Sequence, residues 1–421
     1  MRAARAQNVP RWLSPGLALA AVIVLWPGQG RAQVARDWLP DATTMKRAWA
    51  LHPLHAAARQ QQQAALAGLD QARAGQAEWS TGLVATRHRY ADPGVSPGAD
   101  WELQLERPWR SDARAGAAIT AAQRQQAVSE ADTRAQTRRW ARERLAELIA
   151  WQDEVRTADA QARLLANLAE QHRALEARQR AGDAARLELD LSLAALAQAR
   201  AAAEGSADRA LERRRALERQ LGPVSSWGQS PDLDVSPTAD TPAPESPELT
   251  LSRAIAESAR AQARRERADQ APEPVVGVRL SRLAGAREGT VSLSLTLPWP
   301  GPGRDAGVRA ALARADAADA QARAVAQQAH AEALARQALV QRNEREAARQ
   351  REAATHLEAV AEATARGVAL GEGRLADSLA ARRLAQDQVL ARIRADSALE
   401  ASRLGLRLEA DQLWPGLEDA P

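Results

Sequence analysis

The chain has no cysteine and no phenylalanine, and its 421 residues include one tyrosine and two methionines. Without cysteine it forms no disulfides and no thiolate metal sites, and it has no catalytic thiol. Lysine occurs once, at Lys46, so arginine supplies nearly all of the positive charge. The shortage of large aromatic and sulfur-containing side chains argues against several separate globular cores, which depend on such residues.

The charge balance excludes a strongly basic protein. The formal net charge is +4, and residues 1–32 contain four arginines and no acid. Subtracting those four from the 57 Lys+Arg leaves 53, equal to the 53 Asp+Glu. A neutral chain offers no basic face for phosphates, so no nucleic-acid partner is predicted.

The N-terminal segment has the pattern of an export signal. Three arginines precede the apolar stretch Leu17–Trp26, and Gly30–Ala32 places small residues at the recognition positions of a cleavage site. The apolar stretch is shorter than the roughly 20 residues that span a bilayer. We therefore predict a signal peptide over residues 1–32.

The remainder of the sequence is organised as a duplication. Leu105 opens the motif L-E-R-P-W and Leu295 opens L-T-L-P-W, and a long Ala/Arg/Glu/Leu-rich stretch follows each. Each stretch has a glycine break near its far end, at Arg180–Asp183 and at Leu370–Gly373. This pattern predicts two structural repeats, each with a helix, a strand pair and a long helical hairpin.

The predicted repeats are joined by a segment rich in proline. Gly222–Pro247 contains six prolines with several Ser and Asp residues, a composition typical of linkers. The predicted organisation is a first repeat over 33–222, a linker over 223–247 and a second repeat over 248–421.

Each repeat contains two segments that alternate between apolar and polar residues. Trp101, Leu103 and Leu105 alternate with Glu102 and Gln104, which predicts a strand with two unlike faces. The polar face could line water while the apolar face meets lipid, but a soluble sandwich gives the same signal. The predicted strands are 79–90, 101–107, 275–283 and 290–297.

Five large aromatic residues lie in or beside these strands. In a membrane barrel they would form the aromatic girdles at the two interfaces, and in a soluble protein they would be scattered core residues. They are Trp79, Tyr90, Trp101, Trp109 and Trp299.

The stretches after the strand pairs predict unusually long helices. No proline interrupts residues 112–181, which as a helix would extend for about 105 Å at roughly 1.5 Å per residue. Apolar positions recur at seven-residue spacing, as coiled-coil packing requires. The fold class is therefore mainly α with a small β part. Four strands cannot close a barrel, so closure requires several chains, and three would supply twelve strands.

Three motifs make the chain resemble the TolC-type outer-membrane efflux channels. G-E-G-R-L-A-D-S-L-A-A-R-R at Gly371–Arg383 and L-R-L-E-A-D-Q-L-W at Leu406–Trp414 are similar to segments of the heavy-metal, CzcC-type branch. His52-Pro53 stands where the family commonly has Asn-Pro. The resemblance covers the whole chain after residue 32.

The resemblance implies a fold, a location and partners. The helical hairpins would form an α-barrel, and the strands a 12-stranded β-barrel of a homotrimer in outer-membrane lipid, with a long periplasmic extension. A periplasmic adaptor and an inner-membrane pump of the RND type would deliver the substrate, with divalent heavy-metal cations as cargo. Neither catalysis nor a cofactor is implied.

The resemblance also places candidate site residues at the two hairpin turns. Acids there could form an anionic ring in a trimer, or could only cap helix N-termini. The candidate aperture or adaptor-docking residues are Gly182, Asp183, Asp190, Gly371, Glu372 and Asp377. The candidate latch residues, which could pair with these acids, are Arg180, Arg186 and Arg374.

Other functions stay open at the level of sequence. We find no catalytic constellation, and His52-x-x-His55 could hold a metal only if further ligands were nearby. A periplasmic coiled-coil adaptor would also have a signal peptide and long hairpins, although adaptors usually have one hairpin rather than two. A structural filament, or a channel for organic drugs or a secreted product, are further alternatives.

Overall fold

The fold is described from a computed structural model of the chain. The described residues are 38–75, 78–88, 98–227, 246–283, 288–299 and 301–419. All of them lie in one compact unit, Asp37–Pro421. The predicted signal peptide, Tyr90 and most of the predicted linker lie outside the described residues.

Long helices and four short strands make up the described part of the chain. They follow the order helix pair, strand pair, helical hairpin, and then helix, strand pair, helical hairpin. The elements are α1 Ala42–Ala50, α2 Pro53–Ala74, β1 Ser80–His88, β2 Gly98–Pro108, α3 Asp112–Arg180, α4 Arg186–Leu221, α5 Pro247–Ala268, β3 Val275–Leu283, β4 Glu288–Thr296, α6 Pro302–Ala369 and α7 Leu375–Glu409.

Local sequence explains where several helices begin. Ser111 caps α3 through its side chain, which accepts a hydrogen bond from the Arg114 N–H. Proline at the first position of α2 and α6 fits a helix start, where its missing N–H costs nothing. The alternating leucines after the first glycine break lie in α4, since their Ala, Glu and Arg neighbours favour helix.

The four strands form one antiparallel sheet in the order β1-β2-β3-β4. In register, Leu103 lies opposite both Leu83 and Leu280. The bounds of β3 match the prediction for 275–283. Strand β2 is longer than the predicted 101–107 because pairing with β1 carries the ladder out to Gly98. Strands β1 and β4 are each displaced by one or two residues from the predicted ends.

The main core lies around the middle of α3. Trp49, Trp140, Leu148 and Trp414 are almost completely buried within it. The core also contains residues from α4, α7 and the segments at both ends of the described chain. Trp414 donates through its indole nitrogen to the carbonyl of Pro40 at 2.9 Å. No comparable cluster forms on α6 within the described residues, so the two repeats differ at this level.

An ion-pair network ties α3 to the second repeat. Arg142 donates to Glu409 at 2.5 Å and to Glu248 at 2.6 Å. Burial alone would lower the pKa of Arg142 and raise that of Glu248, but their hydrogen bonds reverse both shifts. Glu248 therefore stays ionised, and the bonds from Arg142 to Glu248 and Glu409 hold α5 and α7 against α3.

The first helix of each hairpin, α3 or α6, ends in the same glycine motif. Gly182 and Gly371 have φ of +85° and +79°, in the left-handed region that glycine adopts at little cost. The Asp183 N–H bonds the Arg178 carbonyl at 2.9 Å, and the Glu372 N–H bonds the Gly367 carbonyl at 2.9 Å. This is the Schellman arrangement, which ends a helix and reverses the chain.

Among the described residues, no helix is both long enough and apolar enough to cross a membrane.

Gly182→Ala tests whether the first turn depends on the left-handed conformation. An alanine at φ +85° meets no neighbour but is strained by about 1 kcal/mol. We expect a lower unfolding midpoint by circular dichroism. The matched control is Gly116→Ala on the exposed surface of α3, where alanine also meets no neighbour. This control should raise the midpoint, because alanine favours helix by about 1 kcal/mol. A shift of the unfolding midpoint in the same direction in both variants would contradict the left-handed conformation at Gly182.

Candidate functional site

The sheet has one apolar face and one polar face, which we define by register. The residues of the apolar face are the more exposed ones, so no part of the described chain covers it. Leu293 on β4, for example, is 85% exposed. The apolar face consists of Leu83 and Ala85 on β1, Trp101, Leu103 and Leu105 on β2, Val276, Val278 and Leu280 on β3, and Val291, Leu293 and Leu295 on β4.

The polar face carries hydrogen-bonding and charged side chains. Glu102 on β2 pairs with Arg279 on β3 at 3.0 Å. Gly277 leaves room on this face, because a Cβ there would lie 2.6 Å from the Ser294 hydroxyl and 2.7 Å from Glu106 Cγ. The side chain of Glu106 therefore lies close over β3. On β2 and β3 together, the acids Asp100, Glu102 and Glu106 outnumber the one arginine of the face.

The sheet is open at both edges. Strand β1 pairs only with β2, and β4 pairs only with β3, among the described strands. One row of backbone N–H and C=O groups on each edge strand therefore has no strand partner in the part of the chain that the structure describes. Such edges are ready to pair with another strand, and in lipid they would have to be paired.

The predicted girdle tryptophans are exposed where the structure describes them. Trp79 and Trp109 are 60% and 67% exposed at the end of the sheet nearest the helices, and Trp299 is 86% exposed. Trp101 lies further along the apolar face. None of these four belongs to the buried core, in contrast to Trp49 or Trp140.

The two hairpin turns lie side by side. Residues from both turns, including Gly182, Asp183, Gly371 and Leu375, line a common cleft of about 490 Å³. Arg178, in the last turns of α3, donates to the carbonyl of Val368 in α6 at 3.1 Å. Its other terminal nitrogen donates to the Asp183 carbonyl at 3.4 Å. Arg178 thus bridges the two hairpins through their backbones.

The sequence-predicted latch arginines do not make this bridge. Arg180 donates to the carbonyl of Glu176 in its own helix at 3.3 Å. Arg186 pairs with Asp190 one turn away at 3.4 Å, and both side chains are exposed. Arg374 is the N-cap residue of α7, without a capping side-chain bond. The sequence carried no signal for Arg178, because its partner is a backbone carbonyl 190 residues away.

Of the four predicted aperture acids, Asp190 pairs with Arg186, and the other three have free carboxylates. Asp183, Glu372 and Asp377 are exposed, and none of them forms an ion pair within the part of the chain that the structure describes. Asp183 and Glu372 contribute their backbone N–H groups to the two helix ends. Their side chains are therefore available to solvent or to a partner.

The two histidines of the first helices are structural. His52 Nδ1 accepts a hydrogen bond from the Leu54 N–H at 3.2 Å, and its ring stacks on Trp49 at 5.7 Å. Burial and the nearby Arg144 lower the pKa of His52, which fits this acceptor role. His55 is buried beside the same tryptophan. No group of three or more potential metal ligands occurs among the described residues.

Comparison with known proteins identifies the fold. No protein-family model matches the chain, and no curated protein matches it in sequence. Solved structures do match. The outer membrane protein VceC from Vibrio cholerae has a TM-score of 0.70 and 18% identity, covering 89% of this chain and 96% of that chain.

Two further structures agree over similar lengths. The CmeC outer membrane channel from Campylobacter jejuni has a TM-score of 0.69 and 15% identity, covering 90% of this chain and 86% of that chain. The MtrE outer membrane channel from Neisseria gonorrhoeae has a TM-score of 0.69 and 14% identity, covering 89% of each chain. These neighbours are TolC-family outer-membrane channels, and the chain has their fold.

Arg178→Gln tests the bridge between the hairpin turns. Glutamine is too short to hold both carbonyls, so the turns should separate more freely. We expect spin labels at residues 184 and 369 to show a broader distance distribution by pulsed electron resonance. The matched control is Arg180→Gln, which removes a guanidinium that contacts only its own helix. Identical distributions in wild type and Arg178→Gln would show that the bridge does not restrain the turns.

Proposed function

We propose that the chain is one subunit of a trimeric outer-membrane channel that exports substrate passively from the periplasm. The observation that carries this proposal is a sheet with an exposed apolar face and two open edges, joined to helices of 68 and 69 residues. An apolar face of this kind suits lipid, and helices of this length suit a duct across the periplasm.

The open edges indicate how copies would join. Strand β4 of one copy can pair with β1 of the next, so three copies would form a closed sheet of twelve strands. Closure gives every edge group a backbone partner, as a membrane requires. The polar face would then line the lumen, while the apolar face meets lipid.

The middle of α6 is not covered by the rest of the described chain. No residue of α6 between 316 and 342 is buried, although both ends of α6 are covered by α5 and α7. Leu334 and Leu339 are exposed in this stretch. The corresponding middle of α3 is heavily buried. A neighbouring copy packed along α6 would cover the bare stretch, which supports lateral assembly.

The partners and cargo are part of the proposal. The paired hairpin turns would face a periplasmic adaptor, which connects the channel to an inner-membrane pump of the RND type. The excess of acids on the polar face favours cations, and three copies would multiply it. This supports divalent heavy-metal cations as cargo, with the sequence motifs as the second argument. A channel for organic compounds or a secreted product is the alternative cargo class.

Assembly and location are tested by fractionating the cell envelope. The protein should be recovered in the outer membrane and should migrate as a trimer on a gel when unheated, and as a monomer after boiling. Closed barrels resist detergent because no edge is left to open. Recovery as a soluble periplasmic monomer would instead support the coiled-coil adaptor.

Charge preference is tested on the same trimer in a planar bilayer with unequal salt on the two sides. The reversal potential should indicate a preference for cations. Glu102→Gln should weaken this preference, because it removes an acid and leaves Arg279 without its carboxylate partner. The control Glu352→Gln changes an exposed acid on α6 and should leave the potential unchanged. An anion preference in the wild type would argue against metal cations.

A further inference from the structure

Of the arginines that the register places on the apolar face, Arg107 lies at the end of the sheet nearest the helices, whereas Arg87 and Arg282 lie toward the other end. Arg107 continues the series Leu103 and Leu105 on β2, and its side chain is exposed. The register places Ser80 opposite Glu106, so the next residue outward, Trp79, lies beside Arg107. The guanidinium carbon of Arg107 is 5.3 Å from the centre of the Trp79 ring. This is a cation–π contact, and it holds the guanidinium in place.

Arg107 has no carboxylate partner within the described residues, in contrast to Arg279 and Arg114. Arg279 on the opposite face pairs with Glu102 at 3.0 Å. Arg114, at the start of α3, pairs with Asp269 at 2.5 Å and Glu273 at 3.0 Å. The guanidinium of Arg107 is instead exposed beside Trp79, where it is accessible to molecules that cover the apolar face.

The position of Arg107 matches the edge of a bilayer. From Arg107 to Ala99 the strand covers about 27 Å at roughly 3.4 Å per residue. A barrel tilt of about 40° reduces this to about 21 Å along the membrane normal, close to the roughly 25 Å apolar band of such barrels. The residues of β2 that share this face between the two are apolar: Trp101, Leu103 and Leu105. Trp109, exposed next to Arg107, marks the same level.

We propose that Arg107, held over Trp79, binds the phosphate of an anionic phospholipid, phosphatidylglycerol, in the leaflet nearest the helices. The proposal rests on the proposed membrane placement. A guanidinium binds phosphate oxygens in a bidentate manner, and the indole can pack against the glycerol region. The described residues of the apolar face include no acid that could pair with the ammonium of a zwitterionic headgroup. The site therefore favours a headgroup with net negative charge.

The test is native mass spectrometry of the full chain purified in detergent. Phosphatidylglycerol, phosphatidylethanolamine and diacylglycerol with identical acyl chains are offered separately. We expect phosphatidylglycerol to be retained most, at one molecule per copy. Arg107→Gln should weaken its retention about fivefold, since a basic residue near a membrane surface contributes roughly 1 kcal/mol. Arg107→Lys should restore part of the retention, and Trp79→Leu should reduce it without changing the charge.

The matched control is Arg87→Gln, which removes an exposed arginine at the far end of the apolar face. It should leave retention unchanged. Equal retention in wild type and Arg107→Gln, or equal retention of diacylglycerol and phosphatidylglycerol, would overturn the proposal. The unheated gel on the same samples separates the two hypotheses. Absence of a wild-type trimer contradicts the channel, whereas an intact trimer with lipid retention independent of Arg107 contradicts only the lipid site.

Discussion

The need to pair backbone hydrogen-bonding groups at the sheet edges determines how this molecule can exist in a membrane. Among the described strands, β1 and β4 each have a neighbour on one side only, and one face of the sheet is apolar. In water the apolar face is costly, and in lipid the open edges are costly. In the proposed channel, strands of further copies would pair the edges and lipid would cover the apolar face. The outward apolar side chains and the incomplete sheet are thus two aspects of one requirement.

The longest helices of the two repeats, α3 and α6, differ in how far they are buried. The core around Trp49 and Trp140 surrounds the middle of α3, whereas no residue in the middle of α6 is buried by the described chain. The longest helix of the first repeat is therefore buried by its own chain, and the middle of the longest helix of the second repeat is not covered by the described residues. The bonds from Arg142 to Glu248 and Glu409 hold the second repeat against the first, so the two repeats keep a fixed arrangement.

Much of this fold could be predicted from sequence because its signals are local and repeated. Strand β3 was predicted with correct bounds, since Val276, Val278 and Leu280 alternate without interruption. The start of β2 could not be predicted, because Ala99 and Asp100 join the ladder only through pairing with β1. The glycine turns were visible in the sequence, but the Arg178 bridge was not. Its acceptor is a backbone carbonyl, which any residue supplies.

The composition of the main core also constrains when the chain can fold. Leu39 and Trp49 share this core with Trp414 and Leu417, and the indole of Trp414 bonds the carbonyl of Pro40, 374 residues away in sequence. Closing so long a loop delays folding until the last partners are present. The core is therefore incomplete until synthesis has passed Leu417. A chain built in this way remains without its central packing until its C-terminal residues have been synthesised.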